Sequence, residues 1–173
     1  MTTALLSFVS ISLFMIHEFE EIIFVRQWIK KGKNNPKLRQ DIWLSGSSHY
    51  PSTPVIALMI AEEFIVASII LFIAIIFTIP ELVLAVLIAH TLHLIVGHIL
   101  PALIIRRWTP GSVTAVATLP FIATVMAITY ATTNISWVLL LLLTIVVTVV
   151  LVSNLRILYA KSVAIGRWVE SRY

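Results

Sequence analysis

The chain has 173 residues, of which 60% are hydrophobic and only 12% are charged, and its mean hydropathy is +1.03. Soluble domains carry about 25% charged residues, so this composition excludes an ordinary soluble protein and indicates an integral membrane protein. The formal net charge is +4, and the chain has no cysteine, which excludes disulfides, thiolate metal ligands and thiol nucleophiles.

Five apolar segments are long enough to cross a bilayer, since a transmembrane helix needs about 20 predominantly apolar residues. They cover about residues 4–28, 55–79, 81–105, 112–132 and 135–159. The first segment lacks a basic n-region and a small-residue cleavage site, and charged residues interrupt it, so we interpret it as a retained span and not as a signal peptide. The sequence therefore predicts an all-α, polytopic membrane helix bundle in which residues 1–173 form a single domain.

The positions of the basic residues indicate the orientation of the bundle. All twelve lysines and arginines follow spans one, three and five, and the opposite connections contain none. By the positive-inside rule, the N-terminus lies outside and the C-terminus lies in the cytoplasm of a cell membrane. The basic side chains serve as anchors beside lipid headgroups, so no nucleic-acid partner is expected. The long polar connection, about residues 29–54, is interpreted as a cytoplasmic surface loop, with a lid as the alternative.

Ionisable residues interrupt the first three spans. Each acid in a bilayer interior costs about 2.5–3.5 kcal/mol, so such residues rarely occur there without a function. In the first span a histidine and two glutamates are spaced i, i+3 and i+4 and share one helix face. In chain order the polar residues are His17, Glu20, Glu21, Glu62, Glu63, His90, His93 and His98.

These polar residues occupy similar depths in the predicted membrane. At a rise of 1.5 Å per residue, most of them fall in the cytoplasmic half of the bilayer, with His93 near the midplane. Asn154, in span five, lies at a similar depth. Because the spans alternate in direction, sequence order alone does not produce this agreement. The sequence therefore predicts one internal site formed by several helices.

Residues 17–21, with the sequence HEFEE, resemble the motif of the HXXEE-domain family of small bacterial membrane proteins. The downstream segments 61–63 and 90–98 are similar to the other polar positions of that family, and the resemblance covers nearly the whole chain. It implies a protein of the bacterial inner membrane with enzymatic activity, but it does not supply the reaction.

Carboxylates and neutral imidazoles suit iron, manganese or zinc. Four ionised glutamates would balance two divalent cations. Inward Glu and His side chains three residues apart resemble those of di-iron carboxylate bundles, although the usual order there is Glu-x-x-His and here it is His-x-x-Glu. We therefore predict a divalent metal site, with two ions and with iron favoured over zinc or manganese. The candidate ligands are His17, Glu20, Glu21, Glu62, Glu63, His93 and His98.

The predicted function is that of a membrane metalloenzyme acting on an apolar or lipid-like substrate, with oxidation or hydroxylation preferred over hydrolysis. Two alternatives stay open: a metal-free acid–base isomerase or cyclase of a lipid-like substrate, and a small transporter or proton relay. His90 and Asn154 are candidate partners that orient the ligands. The candidate catalytic residues are Glu20, Glu21, Glu62, Glu63 and His93.

Overall fold

The computed structural model describes residues 1–32, 34–35 and 51–172, and within these residues the chain is helical and contains no strand. Most of the predicted cytoplasmic loop, about residues 29–54, lies outside the described residues. The helices are α1 (Thr3–Gly32), α2 (Thr53–Ile76), α3 (Pro80–Ile105), α4 (Ser112–Thr132) and α5 (Trp137–Glu170).

Four of these helices, α2 to α5, are long and apolar enough to span a membrane, which indicates a membrane protein. The fifth, α1, has 30 residues but carries the charged motif and is not among the four. Three helices end at other residues than the approximate span limits: α1 continues to Gly32, and α2 and α5 also differ. Helix α2 ends at Ile76 and not at 79, since Thr78 has a φ of +49° just before Pro80 starts α3. Helix α5 continues eleven residues beyond 159, since residues 160–170 contain no proline that would end it.

Helix α3 lies at the centre of the bundle. It packs against α1, α2 and α5, and α4 packs on its other side, where it also contacts α1. Four consecutive residues of α3, Val83 to Val86, are almost completely buried. Together α1, α2, α3 and α5 surround a common interior, and α4 lies outside it. The polar residues of α3 therefore face side chains from several helices.

A π-helical turn, Leu94–Ile99, interrupts α3 in its second half. At its end the N–H of Leu100 donates to the carbonyl of Ile95, five residues earlier. Pro101 follows directly, and a proline removes one helical N–H and crowds the carbonyl four residues before it, here that of Gly97. Hydrogen bonds of the i→i+5 type bring residues five apart above one another, and such turns are frequent at functional sites.

A tight turn joins α3 to α4. Arg106 ends α3 with a φ of +55°, and Gly111 begins α4 with a φ of +85°. Between them, the hydroxyl of Ser112 donates to the carbonyl of Thr109 (2.6 Å) and accepts the N–H of Thr109 (2.9 Å). The turn is therefore fixed locally, and it holds the carbonyl of Pro110 and the first turn of α4 against the polar faces of α1 and α3.

Candidate functional site

Four side chains from α1 and α3 converge in the interior, and we call them the ligand cluster: His17, Glu21, His93 and His98. Each offers one potential metal-ligand atom, and these four atoms lie within 4.8 Å of one another. His98 Nε2 lies 3.0 Å from Glu21 Oε1 and 3.1 Å from His93 Nε2. His17 Nε2 lies 3.8 Å from the same Glu21 oxygen. His17, Glu21 and His98 are buried, and His93 is half-buried.

Three of these separations can be compared with the spacing of ligands around one metal ion, and every pair lies within 4.8 Å. With metal–ligand bonds of about 2.0–2.1 Å, tetrahedral ligand atoms lie about 3.3 Å apart and neighbouring octahedral ones about 2.9 Å apart. Two observed distances, 3.0 and 3.1 Å, fall between these values, and the third, 3.8 Å, exceeds the tetrahedral value by about half an ångström. Side-chain shifts that shorten the longer separations would therefore complete the coordination.

The hydrogen bond of His98 determines which of its nitrogens faces the cluster as an acceptor. His98 Nδ1 lies 3.0 Å from the carbonyl oxygen of Pro110. A carbonyl only accepts, so Nδ1 carries the proton and donates. In the neutral ring the Nε2 atom then has a free lone pair, which is the form that binds a metal.

A chain of hydrogen bonds fixes His17 in the same way. The Thr114 hydroxyl donates to Glu20 Oε2 at 2.6 Å, and the Thr114 N–H donates to the same oxygen at 2.7 Å. With its single proton directed at Glu20, the hydroxyl oxygen accepts the Nδ1–H of His17 at 3.1 Å. The lone pair of His17 therefore sits on Nε2. Carboxylates that orient metal-bound histidines commonly act in this manner.

The cluster thus gathers several electron-rich atoms, and some of them lack a donor. Among the described residues, two of its buried atoms, His17 Nε2 and Glu21 Oε1, have no hydrogen-bond partner, although Glu21 Oε1 lies 3.0 Å from His98 Nε2. Buried polar atoms are almost always satisfied, and an unpartnered one costs free energy. Lone pairs directed at one another are stabilised by a cation or a shared proton between them. The arrangement is therefore suited to holding positive charge.

Gly111 allows the turn before α4 to approach the two buried histidines. A Cβ atom at this position would lie 2.3 Å from His98 Nδ1 and 3.0 Å from His17 Cε1, and the φ of +85° independently favours glycine. A side chain here would push His98 from its place, so the close approach depends on this glycine.

The structure separates the other sequence-predicted candidates from the ligand cluster. Glu20 is engaged by Thr114, and Glu62 Oε2 accepts a hydrogen bond from Asn154 Nδ2 at 2.7 Å. Glu63 is half-buried and lines two cavities. His90 packs edge-on against His17, with ring centres 5.7 Å apart. Of the seven candidate ligands, four therefore converge, and three lie around them.

Several residues of the site were missed in the sequence. Glu18 was not among the candidates because it lies about 60° beyond the face shared by His17 and Glu21 on an ideal helix. In the structure it is 3% exposed and lines both cavities beside the cluster. Thr114 is one of five threonines in α4, and no local pattern distinguishes it. Gly111 did carry a signal, since a Pro-Gly pair marks a turn.

Two cavities adjoin the cluster between α1, α2, α3 and α5. The first, which we call the apolar cavity, has a volume of about 90 Å³ and is lined mostly by carbon, including Phe14, Leu71 and Val86. The second, the cluster cavity, has a volume of about 70 Å³. Glu21, His93 and His98 line it on one side. A molecule in the cluster cavity would therefore contact three of the four potential ligands.

The HXXEE family, whose members are described as proteins of unknown function with an HXXEE motif, matches the chain over residues 8–126, well over half of its length. The chain belongs to the HXXEE family. No curated protein and no solved structure matches it. The motif positions of this HXXEE protein, His17, Glu20 and Glu21, differ in role: the first and last face the cluster, and Glu20 holds Thr114.

Proposed function

We propose that this HXXEE protein is a membrane-embedded metalloenzyme that holds a divalent cation with His17, Glu21, His93 and His98. The observation that supports it is the convergence of four ligand atoms within 4.8 Å, with the Nδ1 atoms of His17 and His98 engaged elsewhere so that their Nε2 atoms face the others. Three imidazoles and one carboxylate form a ligand set that suits iron, zinc or manganese.

The ligand cluster supports the binding of one metal ion more directly than the binding of the two metal ions that the sequence predicted. The two-ion expectation counted four glutamates, but only Glu21 belongs to the cluster. Glu20 and Glu62 are hydrogen-bonded to Thr114 and Asn154. Glu63 and Glu18 line the adjoining cavities. A divalent ion bound by the carboxylate of Glu21 alone would keep one positive charge, which these neighbouring carboxylates would offset.

The adjoining cavities support an apolar or lipid-like substrate, because binding sites for such molecules are enclosed and lined mainly by carbon. A bound iron would supply oxygen activation, and a bound zinc would instead supply an activated water. We favour iron, and with it oxidation or hydroxylation over hydrolysis. The chain's own contribution is to orient the ligands through Pro110, Thr114 and Glu20 and to keep the site out of bulk water.

In this proposal α1 is a fifth span, with the N-terminus outside and the C-terminus in the cytoplasm. Basic residues at the end of α1, at the end of α3 and in the last part of α5 support this orientation. A 30-residue helix is about 45 Å long, which is enough to cross the membrane.

One contact favours a second function, acid–base catalysis without a metal. His98 Nε2 lies 3.0 Å from Glu21 Oε1, the geometry of an imidazolium–carboxylate pair. Such a pair could donate and accept protons on a lipid-like substrate, as an isomerase or cyclase requires. It would leave His17 Nε2 without a partner in the described part of the chain, which is why we prefer the metal.

Elemental analysis of the protein, purified in detergent without chelators or immobilised-metal columns, tests the proposal. We expect about one Fe, Zn or Mn per chain, which Glu21→Gln and His93→Ala abolish. Glu62→Gln is the matched control, since it changes an intramembrane glutamate outside the cluster and should retain the metal. A wild-type protein that contains no metal and takes up none when offered Fe²⁺, Zn²⁺, Mn²⁺ or Co²⁺ would refute the proposal.

A further inference from the structure

His93 differs from the other two histidines of the ligand cluster in the surroundings of its Nδ1 atom. The Nδ1–H of His17 bonds the Thr114 hydroxyl. The Nδ1–H of His98 bonds the carbonyl of Pro110. Among the described residues, the His93 ring is hydrogen-bonded only through Nε2, which lies 3.1 Å from His98 Nε2. A metal-bound histidine almost always donates its second ring N–H to a carboxylate, a carbonyl or a water molecule, so His93 needs a further partner.

The edge of the His93 ring that carries Nδ1 lies beside a residue without a side chain. A Cβ atom at Gly97 would lie 3.6 Å from both Nδ1 and Cε1 of His93. Gly97 and His93 both line the cluster cavity, which has a volume of about 70 Å³. A water molecule takes a share of about 30 Å³ in the liquid, so this cavity has room for about two. Water therefore fits beside His93 Nδ1.

Two glutamates stand near His93 and lack partners of their own. Glu18 from α1 and Glu63 from α2 line both cavities, as His93 does. Within the part of the chain that the structure describes, neither carboxyl group takes part in a hydrogen bond or an ion pair. The two groups are close enough for their charges to repel each other. Lipid offers no hydrogen bonds, so carboxyl groups in a membrane interior need a partner inside the protein.

One water molecule would satisfy these three groups together. A buried water molecule typically makes about three hydrogen bonds. Between these residues it would accept the Nδ1–H of His93 and donate one hydrogen to Glu18 and the other to Glu63. A carboxyl group offers an acceptor oxygen whether it is ionised or protonated, so these bonds do not depend on the charge of the glutamates. The water would also stand between two carboxyl groups that repel each other when charged.

We propose that a bound water molecule links His93 to Glu18 and Glu63, and that these two glutamates position His93 through it. This inference rests on the proposed function, in which His93 Nε2 binds the cation. With the proton of His93 held on Nδ1, the lone pair stays on Nε2, where the metal binds. The arrangement repeats the one at His17, where the Thr114 hydroxyl stands between the histidine and a carboxylate. Each histidine of the ligand cluster then has an acceptor at Nδ1.

A crystal structure of the metal-free wild-type protein, at a resolution that shows ordered water, tests the water site. We expect a water molecule about 2.7–3.2 Å from His93 Nδ1 and about 2.5–3.0 Å from a carboxyl oxygen of Glu18 and of Glu63. A protein acceptor in contact with His93 Nδ1, or no water beside that atom, would overturn the inference. This measurement needs no metal, so its result does not depend on the proposed function.

The affinity for cobalt(II), measured in detergent, tests the positioning role. Loss of a group that orients a metal-bound histidine typically weakens metal binding about 10- to 100-fold. Glu63→Leu removes the acceptor oxygens and should cause a loss of this size. Glu63→Gln also removes the charge but keeps an acceptor oxygen, so it should recover most of the affinity. Glu62→Leu is the matched control, because Glu62 bonds Asn154 instead, and it should bind cobalt as the wild type does.

The outcomes separate position from charge and the water site from the metal site. Equal losses in Glu63→Gln and Glu63→Leu would assign only an effect of charge to Glu63 and would overturn the positioning role. Wild-type affinity in Glu63→Leu, or an equal loss in Glu62→Leu, would overturn it as well. Water beside His93 in a protein that binds no cobalt would retain the water site and remove the metalloenzyme, so the two proposals fail separately.

Discussion

Replacing Thr114 with valine tests whether Glu20 acts on the metal site through His17. The Thr114 hydroxyl accepts the Nδ1–H of His17 at 3.1 Å and donates to Glu20 Oε2 at 2.6 Å. Valine has a similar shape but no hydroxyl, so both bonds are lost while the backbone N–H bond to Glu20 remains. His17 can then move its proton to Nε2, where it would block metal binding.

The expected loss follows from the partners that are removed. Replacing a group that orients a metal-bound histidine typically weakens metal binding about 10- to 100-fold. At about 1.4 kcal/mol per tenfold, this is about 1.4–2.8 kcal/mol. Two hydrogen bonds with a net contribution of about 1 kcal/mol each give a similar figure. Thr114→Val should therefore raise the dissociation constant by this factor without abolishing binding, in contrast to Glu21→Gln.

Cobalt(II) is a suitable probe, because its visible absorption reports binding, and competition with a chelator gives the dissociation constant in detergent. Thr114→Ser keeps the hydroxyl and should bind almost as tightly as the wild type. Thr118→Val is the matched control, since the Thr118 hydroxyl donates to the backbone carbonyl of Thr114 at 2.7 Å and to no cluster residue. Wild-type affinity in Thr114→Val, or an equal loss in Thr118→Val, would refute the orienting role.

Two further predictions concern the packing around the site. Gly111→Ala should lower the free energy of unfolding by about 1–3 kcal/mol and weaken cobalt binding, because its Cβ would lie 2.3 Å from His98 Nδ1 at a positive φ. Gly166→Ala should be neutral or stabilising in the same denaturation assay, because among the described residues the nearest atom to its Cβ is Val55 Cγ2 at 3.8 Å. Asn154→Leu removes the hydrogen bond to Glu62 and should cost about 0.6 kcal/mol, and no more than about 1.7, with unchanged metal content. Loss of metal in Asn154→Leu would instead assign Glu62 to the site.

Hydropathy predicted the helices well because a membrane span is defined mainly by its apolar length. It predicted the boundaries less well, since these depend on backbone conformation. The positive φ of Thr78 ends α2 early, and α5 continues to Glu170 after its hydrophobicity has fallen. The rise of 1.5 Å per residue predicted that the acids lie in one layer of the membrane. Depth alone could not distinguish Glu62, which bonds Asn154, from Glu63, which lines the cavities.

The composition of the ligand cluster could be predicted only in part. Spacing of i and i+4 correctly places His17 and Glu21 together on one face of α1. On a regular α-helix, however, His93 and His98 would point about 140° apart, because five residues exceed one turn of 3.6. The π-helical turn brings their Nε2 atoms to 3.1 Å. Gly97 and Pro101 were the signals for it, since together they disturb the regular hydrogen bonding of this part of α3.

The HXXEE spacing explains why one short segment of α1 can supply both a ligand pair and its support. The i and i+4 positions, His17 and Glu21, face α3, where the cluster forms. The i+3 position, Glu20, is displaced around the helix and reaches Thr114 at the start of α4. Because the Thr114 hydroxyl also accepts the Nδ1–H of His17, the charge of Glu20 keeps the proton of His17 on Nδ1. The other nitrogen of His17, Nε2, then faces Glu21. Each motif residue therefore depends on the others, and α4, which lies outside the four-helix interior, is required to complete the site.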